Sequence, residues 1–273
     1  MAASLGGAFI HLGVAGPGTD PLRANMGLHV GDRPALVRAR RRALSHALGR
    51  SLVWMDQTHS TTVALVNVDT RAPRSQADAS GVPEEGTWAV LPADAVVVDA
   101  RGWSSAPGAA VMVADCLPVL LADTTGAVVA AVHAGRRGLH AGILSRAVGT
   151  MAPLVGGGGN LHALIGPSIC GSCYEVPAAL REEVARTHPA AWATTSWGTP
   201  SLDLAAGAEQ ELRGLGLDEV RRDGRCTRED AELHSHRRDP RSGRQVDVVV
   251  PALPGAACHD MPHSLDPVAP DLH

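Results

Sequence analysis

The sequence predicts an α/β (α+β) fold, a single domain with a mixed β-sheet flanked by helices. Two patterns support this class: apolar, often Val-rich runs too short for helices, and longer stretches with apolar residues every three to four positions. The 273 residues suffice for one large domain and contain no internal repeat or clear linker. We therefore expect one catalytic domain over residues 1–250, followed by a Pro- and His-rich tail over residues 251–273.

The predicted helices begin at residues that favour helix starts. Asp32 and Pro34 supply a cap and a first-turn proline for the first helix. Pro177 opens a later helix, and Asp203 caps the one after it. In chain order, the helices are expected over about 35–48, about 139–151, from 177 through 184, and from 203 through 215.

Seven short apolar runs predict β-strands, and the Val-rich ones are typical of strands buried on both faces. A segment rich in Pro, Ser, Gly and charge, residues 70–88, is predicted to be a loop. The predicted strands are Leu52–Met55, Thr62–Val68, Ala95–Val98, Ala109–Ala114, Val128–Val132, Leu161–Ile165 and Val246–Val250.

Composition excludes several classes of function. With a net charge of -4 and 3% aromatic residues, the chain lacks the basic surface and stacking platform of a nucleic-acid binder. Every basic residue is Arg, which excludes Schiff-base and P-loop lysine chemistry. No apolar run is long enough to span a membrane, and the first residues lack an export signal. The missing export signal and the five scattered cysteines predict a cytoplasmic protein with reduced thiols. The sequence does not predict its oligomeric state.

Three strand-like runs each end near a side chain that binds metals. His59 lies between two predicted strands, Cys116 follows the run at 109–114, and His133 follows the run at 128–132. We expect the ladder to stop at Cys116, because Pro118 has no N–H to continue it. Two His and one Cys form a three-ligand set for zinc, with a fourth position open to water or substrate.

Simpler interpretations of these residues stay open. A lone His at a strand end is usually only hydrogen-bonded, and a lone Cys after an apolar run usually packs as a small hydrophobe. A His–Cys pair also suits a thiol nucleophile with its base. The separations, 57 residues from His59 to Cys116 and 17 more to His133, do not match a local zinc-finger pattern.

Eight segments, in this order along the chain, carry a resemblance to one family. They are Asn25-Met26-Gly27-Leu28-His29-Val30-Gly31-Asp32, Asp56-Gln57-Thr58-His59, Ala93-Asp94-Ala95, Ala114-Asp115-Cys116-Leu117-Pro118, His133-Ala134-Gly135-Arg136-Arg137-Gly138, Ile165-Gly166-Pro167-Ser168-Ile169, Tyr174-Glu175-Val176 and Ser235-His236-Arg237-Arg238-Asp239. The chain resembles the polyphenol oxidase or laccase-domain family, which includes the peptidoglycan editing factor and a type of purine nucleoside phosphorylase. The resemblance extends from about residue 9 to 250.

The resemblance implies a catalytic zinc site built from His59, Cys116 and His133, with copper the less favoured metal. It also implies phosphorolysis of adenosine, inosine, guanosine and methylthioadenosine to base and ribose 1-phosphate, and hydrolytic deamination of adenosine. One metal site with an open position serves both reactions, because each sends an oxygen nucleophile to a nucleoside carbon. Purine nucleosides and phosphate are therefore the expected partners.

The candidate substrate-binding residues are Gln57, Asp115, Arg137, Arg237 and Arg238. Phosphate needs cationic partners, and Arg137 is the first choice because it lies in a glycine-flanked turn at a helix start. Arg237 and Arg238 are second choices, since paired arginines are more often surface or ion-paired groups. Asp115 is expected either to orient a ligand or substrate or to cap the backbone at the strand end.

The chain departs from the family pattern around the expected substrate. Arg136 stands where the family usually has Trp, and His11 lies where the family carries an Arg before a Gly-Gly-Val-Ser stretch. If that Arg helps to hold substrate, His11 is a weaker and pH-dependent replacement. The usual Phe-Ser-Tyr-Arg-Arg segment reads Leu233-His234-Ser235-His236-Arg237-Arg238. The three expected metal ligands match the family pattern, whereas several residues expected around the substrate differ from it.

Other functions compete with the nucleoside enzyme. A multicopper oxidase needs many His-x-His pairs, and this chain has only His234-Ser235-His236, so the ligand count does not support it. Hydrolytic editing of peptidoglycan precursors and a metal-binding protein without turnover both stay open. Cys170 and Cys173 form a Cys-x-x-Cys, but with no second pair nearby they do not by themselves establish a structural zinc site.

Overall fold

The fold is described from a computed structural model, for residues 2–70 and 90–252. The predicted loop at 70–88 lies almost entirely outside the described residues, as does the predicted tail from residue 253 onward. The described strands are β1 Ala2–Leu5, β2 Ala8–Leu12, β3 Leu52–Val53, β4 Val63–Val66, β5 Ala95–Asp99, β6 Gly108–Val113, β7 Leu117–Asp123, β8 Val128–Ala134, β9 Leu161–Ile165, β10 Trp192–Thr194, β11 Pro200–Leu202, β12 Glu219–Arg222 and β13 Gln245–Val250. The α-helices are α1 Pro34–Ala47, α2 Arg136–His140, α3 Ile143–Val155, α4 Ala178–Ala185 and α5 Leu204–Gly214.

The strands form two large mixed sheets and one small hairpin. The five-stranded sheet has the order β1-β2-β13-β6-β3, and the six-stranded sheet has the order β12-β9-β7-β8-β5-β4. Each large sheet combines antiparallel pairs with parallel ones, namely β3–β6 in the first and β4–β5 and β9–β12 in the second. The predicted α/β class with mixed sheets flanked by helices is confirmed, although the strands divide between two large sheets instead of forming one.

The two large sheets pack face to face, with helices on their outer faces. One apolar cluster joins β2, β6 and the end of β13 to β5, β7 and β8 across the space between the sheets. A second cluster lies between the six-stranded sheet and helices α3 and α5, and a third contains the apolar face of α1 against β6 and β13. The molecule is therefore layered as helix, sheet, sheet and helices. Within the described residues, no helix is long and apolar enough to cross a membrane.

This layering explains why the central strands have continuous apolar sequences. In β5, Ala95 and Val97 face the helices, whereas Val96 and Val98 face the other sheet. Because both faces of the strand are covered, alternation between apolar and polar residues is absent. The helix starts at Pro34, Pro177 and Asp203 are confirmed: Asp203 accepts a hydrogen bond from the N–H of Ala206 at 2.9 Å. The predicted cap at Asp32 is wrong, because the first helix is preceded by Arg33 without a side-chain cap and the Asp32 carboxylate instead pairs with Arg40 at 2.7 Å.

Two predictions around the central strands are wrong. The ladder resumes at Leu117, and β7 contains Pro118, whose carbonyl accepts a hydrogen bond from Gly166 at 2.9 Å. The proline is tolerated because it lies at the start of β7, where the neighbouring strand β9 has just ended at Ile165. The helix expected over 139–151 is two helices, because Gly142 adopts a φ of 86° between α2 and α3.

Candidate metal centre

Three distant segments bring His59, Cys116 and His133 together. His59 lies in the loop between β3 and β4, Cys116 lies in the turn between β6 and β7, and His133 is in β8. Their potential ligand atoms all lie within 4.8 Å of one another, and His59 Nε2 is 3.7 Å from Cys116 Sγ. The ring centroids of the two histidines are 4.7 Å apart, in an edge-to-face arrangement. His133 is buried and His59 is exposed, so the cluster opens to solvent on one side.

Asp94 orients His133. Its Oδ1 lies 2.8 Å from His133 Nδ1, and its backbone carbonyl accepts a hydrogen bond from the N–H of His133 at 2.7 Å. With Nδ1–H donating to this carboxylate, Nε2 is the ring atom left for a metal, which would displace the Nε2 proton when it binds. Burial disfavours a charged His133, but the bonds to Asp94 and Cys116 outweigh it and raise the pKa of His133 to about 9.

Asp94 also holds the loop that carries His59. The carboxylate accepts the backbone N–H groups of His59 at 3.0 Å and Ser60 at 2.6 Å, and the Ser60 hydroxyl at 2.6 Å. His59 has a φ of 62°, a conformation that a residue with a side chain rarely adopts without such support. Burial alone would raise the pKa of Asp94, but the bonds from His133 and Ser60 hold it well below its usual range.

Cys116 is set up as a thiolate. Burial would raise the pKa of its thiol, but the hydrogen bonds to His133 and His59 outweigh it and lower that pKa to about 6. The preceding residue, Asp115, has a φ of 89°, which turns the chain sharply between β6 and β7. The thiolate is the form in which cysteine binds metals, so this environment suits a metal ligand.

Gly135 leaves free the space that the His59 and Cys116 side chains occupy. A Cβ atom at this position would lie 2.6 Å from His59 Cδ2 and 3.0 Å from Cys116 Sγ. Only a residue without a side chain therefore allows both groups to approach the end of β8. This is the physical reason for glycine in the His-Ala-Gly segment.

Gln57 and Asp115 both bind protein groups beside the cluster. The Gln57 amide donates to the carbonyl of Met112 at 2.7 Å and accepts from the N–H of Met112 at 2.9 Å. Asp115 accepts from the Thr227 hydroxyl at 2.7 Å and from the backbone N–H of Arg237 at 2.6 Å. These contacts position the loops around the cluster, and substrate contact by either residue stays a prediction.

The three predicted arginines differ in their surroundings. Arg137 is exposed on α2, whereas Arg238 donates to several backbone carbonyls, including that of Thr227 at 2.7 Å. Arg237 donates to the Glu175 carbonyl at 3.0 Å, and its guanidinium carbon lies 5.0 Å from the centroid of the Tyr174 ring. Arg238 is therefore engaged in holding its own loop, and Arg237 is next to a ring near the cluster.

Several residues near the cluster were not among the predicted site residues. Asp94 was noted only as part of a family segment, and its role depends on contacts with residues far away in sequence. Arg244 is electrostatically coupled to Cys116 and Asp115, and burial lowers its pKa. Arg136 lies close enough to Tyr174 to oppose the rise in the pKa of the phenol that burial causes.

Burial lowers the pKa of His11 to about 4, so this ring is neutral at pH 7 and supplies no cation there.

The chain is similar over most of its length to known proteins. A family model described as multi-copper polyphenol oxidoreductase laccase matches residues 13–252. The chain is 42% identical over 231 residues to a protein of Streptomyces coelicolor named purine nucleoside phosphorylase, covering 82% of this chain and 86% of that protein. It is 40% identical over 242 residues to a protein of the same name from Mycobacterium tuberculosis, covering 87% of each.

Two solved structures share the fold. A Neisseria meningitidis protein superposes with a TM-score of 0.75 at 28% identity, covering 93% of this chain and 99% of that one. YlmD from Geobacillus stearothermophilus superposes with a TM-score of 0.74 at 28% identity, covering 90% and 92%. Because the family match spans most of the chain and the sequence relatives exceed 30% identity, this protein belongs to the multi-copper polyphenol oxidoreductase laccase family.

Proposed function

We propose that this protein is a zinc-dependent purine nucleoside phosphorylase that also deaminates adenosine. Its substrates would be adenosine, inosine, guanosine and methylthioadenosine, which phosphate cleaves to the base and ribose 1-phosphate. The observation that carries the proposal is the cluster of His59, Cys116 and His133, oriented by Asp94 and open on one side. The similarity to several proteins named purine nucleoside phosphorylase supports the choice of substrate.

The donor set fits zinc. Two imidazole nitrogens and one thiolate are ligands that zinc accepts in catalytic sites, and the bond from His133 to Asp94 is the kind of support that zinc-binding histidines usually have. When bound, zinc would polarise an oxygen and lower the pKa of a water molecule. Among the described residues, His59 and His133 are the only histidines in a cluster of three or more potential ligands, which is too few for a multicopper oxidase.

Positively charged side chains near the cluster suit the phosphate co-substrate. Arg136 and Arg237 lie beside Tyr174, and Arg244 is close enough to Cys116 and Asp115 to interact with their charges. In phosphorolysis, a phosphate oxygen forms a bond to C1′ of the ribose while the bond from C1′ to the purine nitrogen breaks. We assign the three arginines to binding and orienting the phosphate, with exposed Arg137 as a further candidate.

The leaving purine carries negative charge and needs a hydrogen-bond donor. Burial raises the pKa of Tyr174, so its hydroxyl keeps its proton at neutral pH and can donate to a purine nitrogen. In deamination, the oxygen of water adds to C6 of adenine and ammonia leaves. The arginines have no role in that step, so the two reactions should differ in their need for phosphate and for Arg244.

The test is a chromatographic product assay on zinc-loaded protein with adenosine, with and without phosphate. We expect adenine only when phosphate is present, and inosine in both conditions. Cys116→Ala should abolish both products, because it removes one of three ligands. Arg244→Gln should raise the KM for phosphate about tenfold or more and leave inosine formation unchanged.

Loss of both products in Cys116→Ala with an unchanged melting temperature would place the chemistry at the cluster. No adenine and no inosine from wild-type protein that carries zinc would contradict the proposal. That result would favour editing of peptidoglycan precursors or a metal-binding protein without turnover. Phosphate-dependent adenine without any inosine would keep the phosphorylase and remove the deaminase.

A further inference from the structure

A second cluster of metal-binding side chains lies apart from the one already described. The Sγ atoms of Cys170, Cys173 and Cys226 and a carboxylate oxygen of Glu229 all lie within 4.8 Å of one another. We propose that these four residues bind a structural Zn²⁺ ion. The sequence shows only the Cys-x-x-Cys half of this set, because the other two ligands lie more than 50 residues further along the chain.

Each half of the cluster is a hydrogen-bonded turn with ligands at its first and fourth positions. In the first turn, the N–H of Cys173 donates to the carbonyl of Cys170 at 3.0 Å. In the second, the N–H of Glu229 donates to the carbonyl of Cys226 at 3.1 Å. Spacing of three residues in a turn points both side chains to one side, which is how paired ligands are presented in structural zinc sites.

Contacts between the two turns bring the four groups towards a common centre. The N–H of Cys170 donates to Cys226 Sγ at 3.4 Å, and Cys173 Sγ lies 3.4 Å from a carboxylate oxygen of Glu229. None of the three cysteines is in a disulfide. Tetrahedral zinc with Zn–S bonds of about 2.3 Å places sulfurs about 3.8 Å apart, so the cluster needs only a small contraction to bind the ion.

The donor chemistry favours zinc in a closed site. Three thiolates and one carboxylate complete a tetrahedral shell, which leaves no position for water or substrate and is typical of structural sites. Cys173 and Cys226 are buried, which suits ligands shielded from solvent. Cys173 and Glu229 also line an open cleft of about 410 Å³, which provides a route for the ion to reach the cluster.

The cluster joins two loops that reach the His59–Cys116–His133 site. Tyr174 follows Cys173 directly, and Thr227, which follows Cys226, donates its hydroxyl to Asp115 beside Cys116. Outside the strands, the described backbone joins these loops by an isolated bridge between Ser168 and Cys226, with the N–H of Thr227 donating to the Ser168 carbonyl at 3.0 Å. A zinc ion would therefore fix the spacing of Tyr174 and Thr227 relative to Cys116 without touching substrate.

Zinc content of the full-length chain, purified under reducing conditions, tests the proposal. We expect two zinc ions per chain in the wild type, one in Cys116→Ala, one in Cys226→Ser, and none in the double variant. After substitution with Co²⁺, the thiolate-to-cobalt charge-transfer absorption should fall more in Cys226→Ser than in Cys116→Ala. The reason is that the proposed site holds three of the four thiolate ligands.

Two further variants keep the test independent of folding defects. Glu229 is exposed, so Glu229→Gln should fold normally and release one zinc ion to a chelator at a concentration about tenfold lower than the wild type needs. Ser172→Ala, in the same turn but with no ligand role, should retain both ions. The proposal is overturned if folded Cys116→Ala contains no zinc, or if Cys226→Ser and Glu229→Gln retain zinc and cobalt absorption like the wild type. These readouts do not use activity, so they are separate from the outcome of the phosphorylase assay.

Discussion

Asp94 and His133 are joined twice, by a side-chain bond of 2.8 Å to Nδ1 and by a backbone bond of 2.7 Å from the His133 N–H. The same carboxylate accepts the N–H groups of His59 and Ser60. One fully buried aspartate, directly before β5, thus sets the positions of two of the three potential metal ligands. Its role is to position these ligands, since its oxygens are occupied by protein donors.

Asp94→Asn is expected to weaken zinc binding about 10- to 100-fold. An amide keeps the size of the side chain but places an N–H₂ group among donors that need an acceptor, so His133 and the loop at 58–60 lose support. The measurement is zinc affinity by competition with a chelator, together with the melting temperature.

Asp99→Asn is the matched control for this prediction. Asp99 lies at the other end of the same strand and pairs with exposed Arg101. We expect its substitution to leave zinc affinity unchanged, since exposed ion pairs contribute little. Equal zinc affinities for Asp94→Asn and the wild type would refute the positioning role.

Gly135→Ala should displace His59 from Cys116. The new methyl group would lie 2.6 Å from His59 Cδ2, closer than non-bonded carbon atoms approach. We expect weaker zinc retention and about 100-fold lower adenosine phosphorolysis, because a displacement of about 1 Å at a reacting centre has an effect of this size. Zinc content and product formation are the two measurements.

Gly149→Ala, in helix α3, provides the comparison for Gly135→Ala. A Cβ at Gly149 meets no atom within 4 Å beyond its own turn of helix, and alanine favours helix by about 1 kcal/mol over glycine. This variant should keep full activity and zinc content. An active, zinc-replete Gly135→Ala would show that the loop at His59 can shift without loss of the site.

The three potential ligands were predictable because each follows a recognisable apolar run; in the structure His133 lies in strand β8 and Cys116 lies between strands β6 and β7. Asp94 was not predictable as their support, because its partners lie 35 and 39 residues away and no local pattern links them. For the same reason, the sequence does not show that Cys226 and Glu229 lie beside the Cys-x-x-Cys pair, because these residues come together only in the folded chain.

The missed strand β7 has a different cause. Pro118 usually argues against a central strand, but here it occupies a position where the adjacent strand has ended, so no ladder bond is lost. The division of the strands between two sheets was also hidden. Runs such as β5 are apolar on both faces whether helices or a second sheet cover them.

Gln57→Ala distinguishes a positioning role from substrate contact. Because the amide satisfies both backbone groups of Met112, its loss should lower the free energy of unfolding by about 2 kcal/mol. We expect kcat for phosphorolysis to fall more than KM for adenosine rises, since the loop that carries His59 would be less well held. A raised KM with unchanged stability would instead establish direct contact with substrate. Urea unfolding and steady-state kinetics are the measurements.

Asp247 is an unusual buried acid between the two sheets. One of its oxygens accepts the N–H of Gly13 at 3.1 Å, and the other, Oδ2, is a buried atom for which the described residues provide no hydrogen-bond partner. Burial raises the pKa of this carboxyl to about 7. The folded state therefore holds a proton that the unfolded chain releases near pH 4.

Asp247→Asn should remove a pH dependence of stability. For a carboxyl with a raised folded-state pKa, the stabilisation is fully present below about pH 4 and is lost as pH rises through about 7. The neutral amide does not ionise, so between pH 5 and pH 8 the variant should gain about 3 kcal/mol of stability relative to the wild type. Urea unfolding of both proteins across this range measures the difference, in which contributions from other titrating groups cancel. A difference that stays constant from pH 5 to about 8 would mean that Asp247 is already ionised in the folded protein at the lower pH.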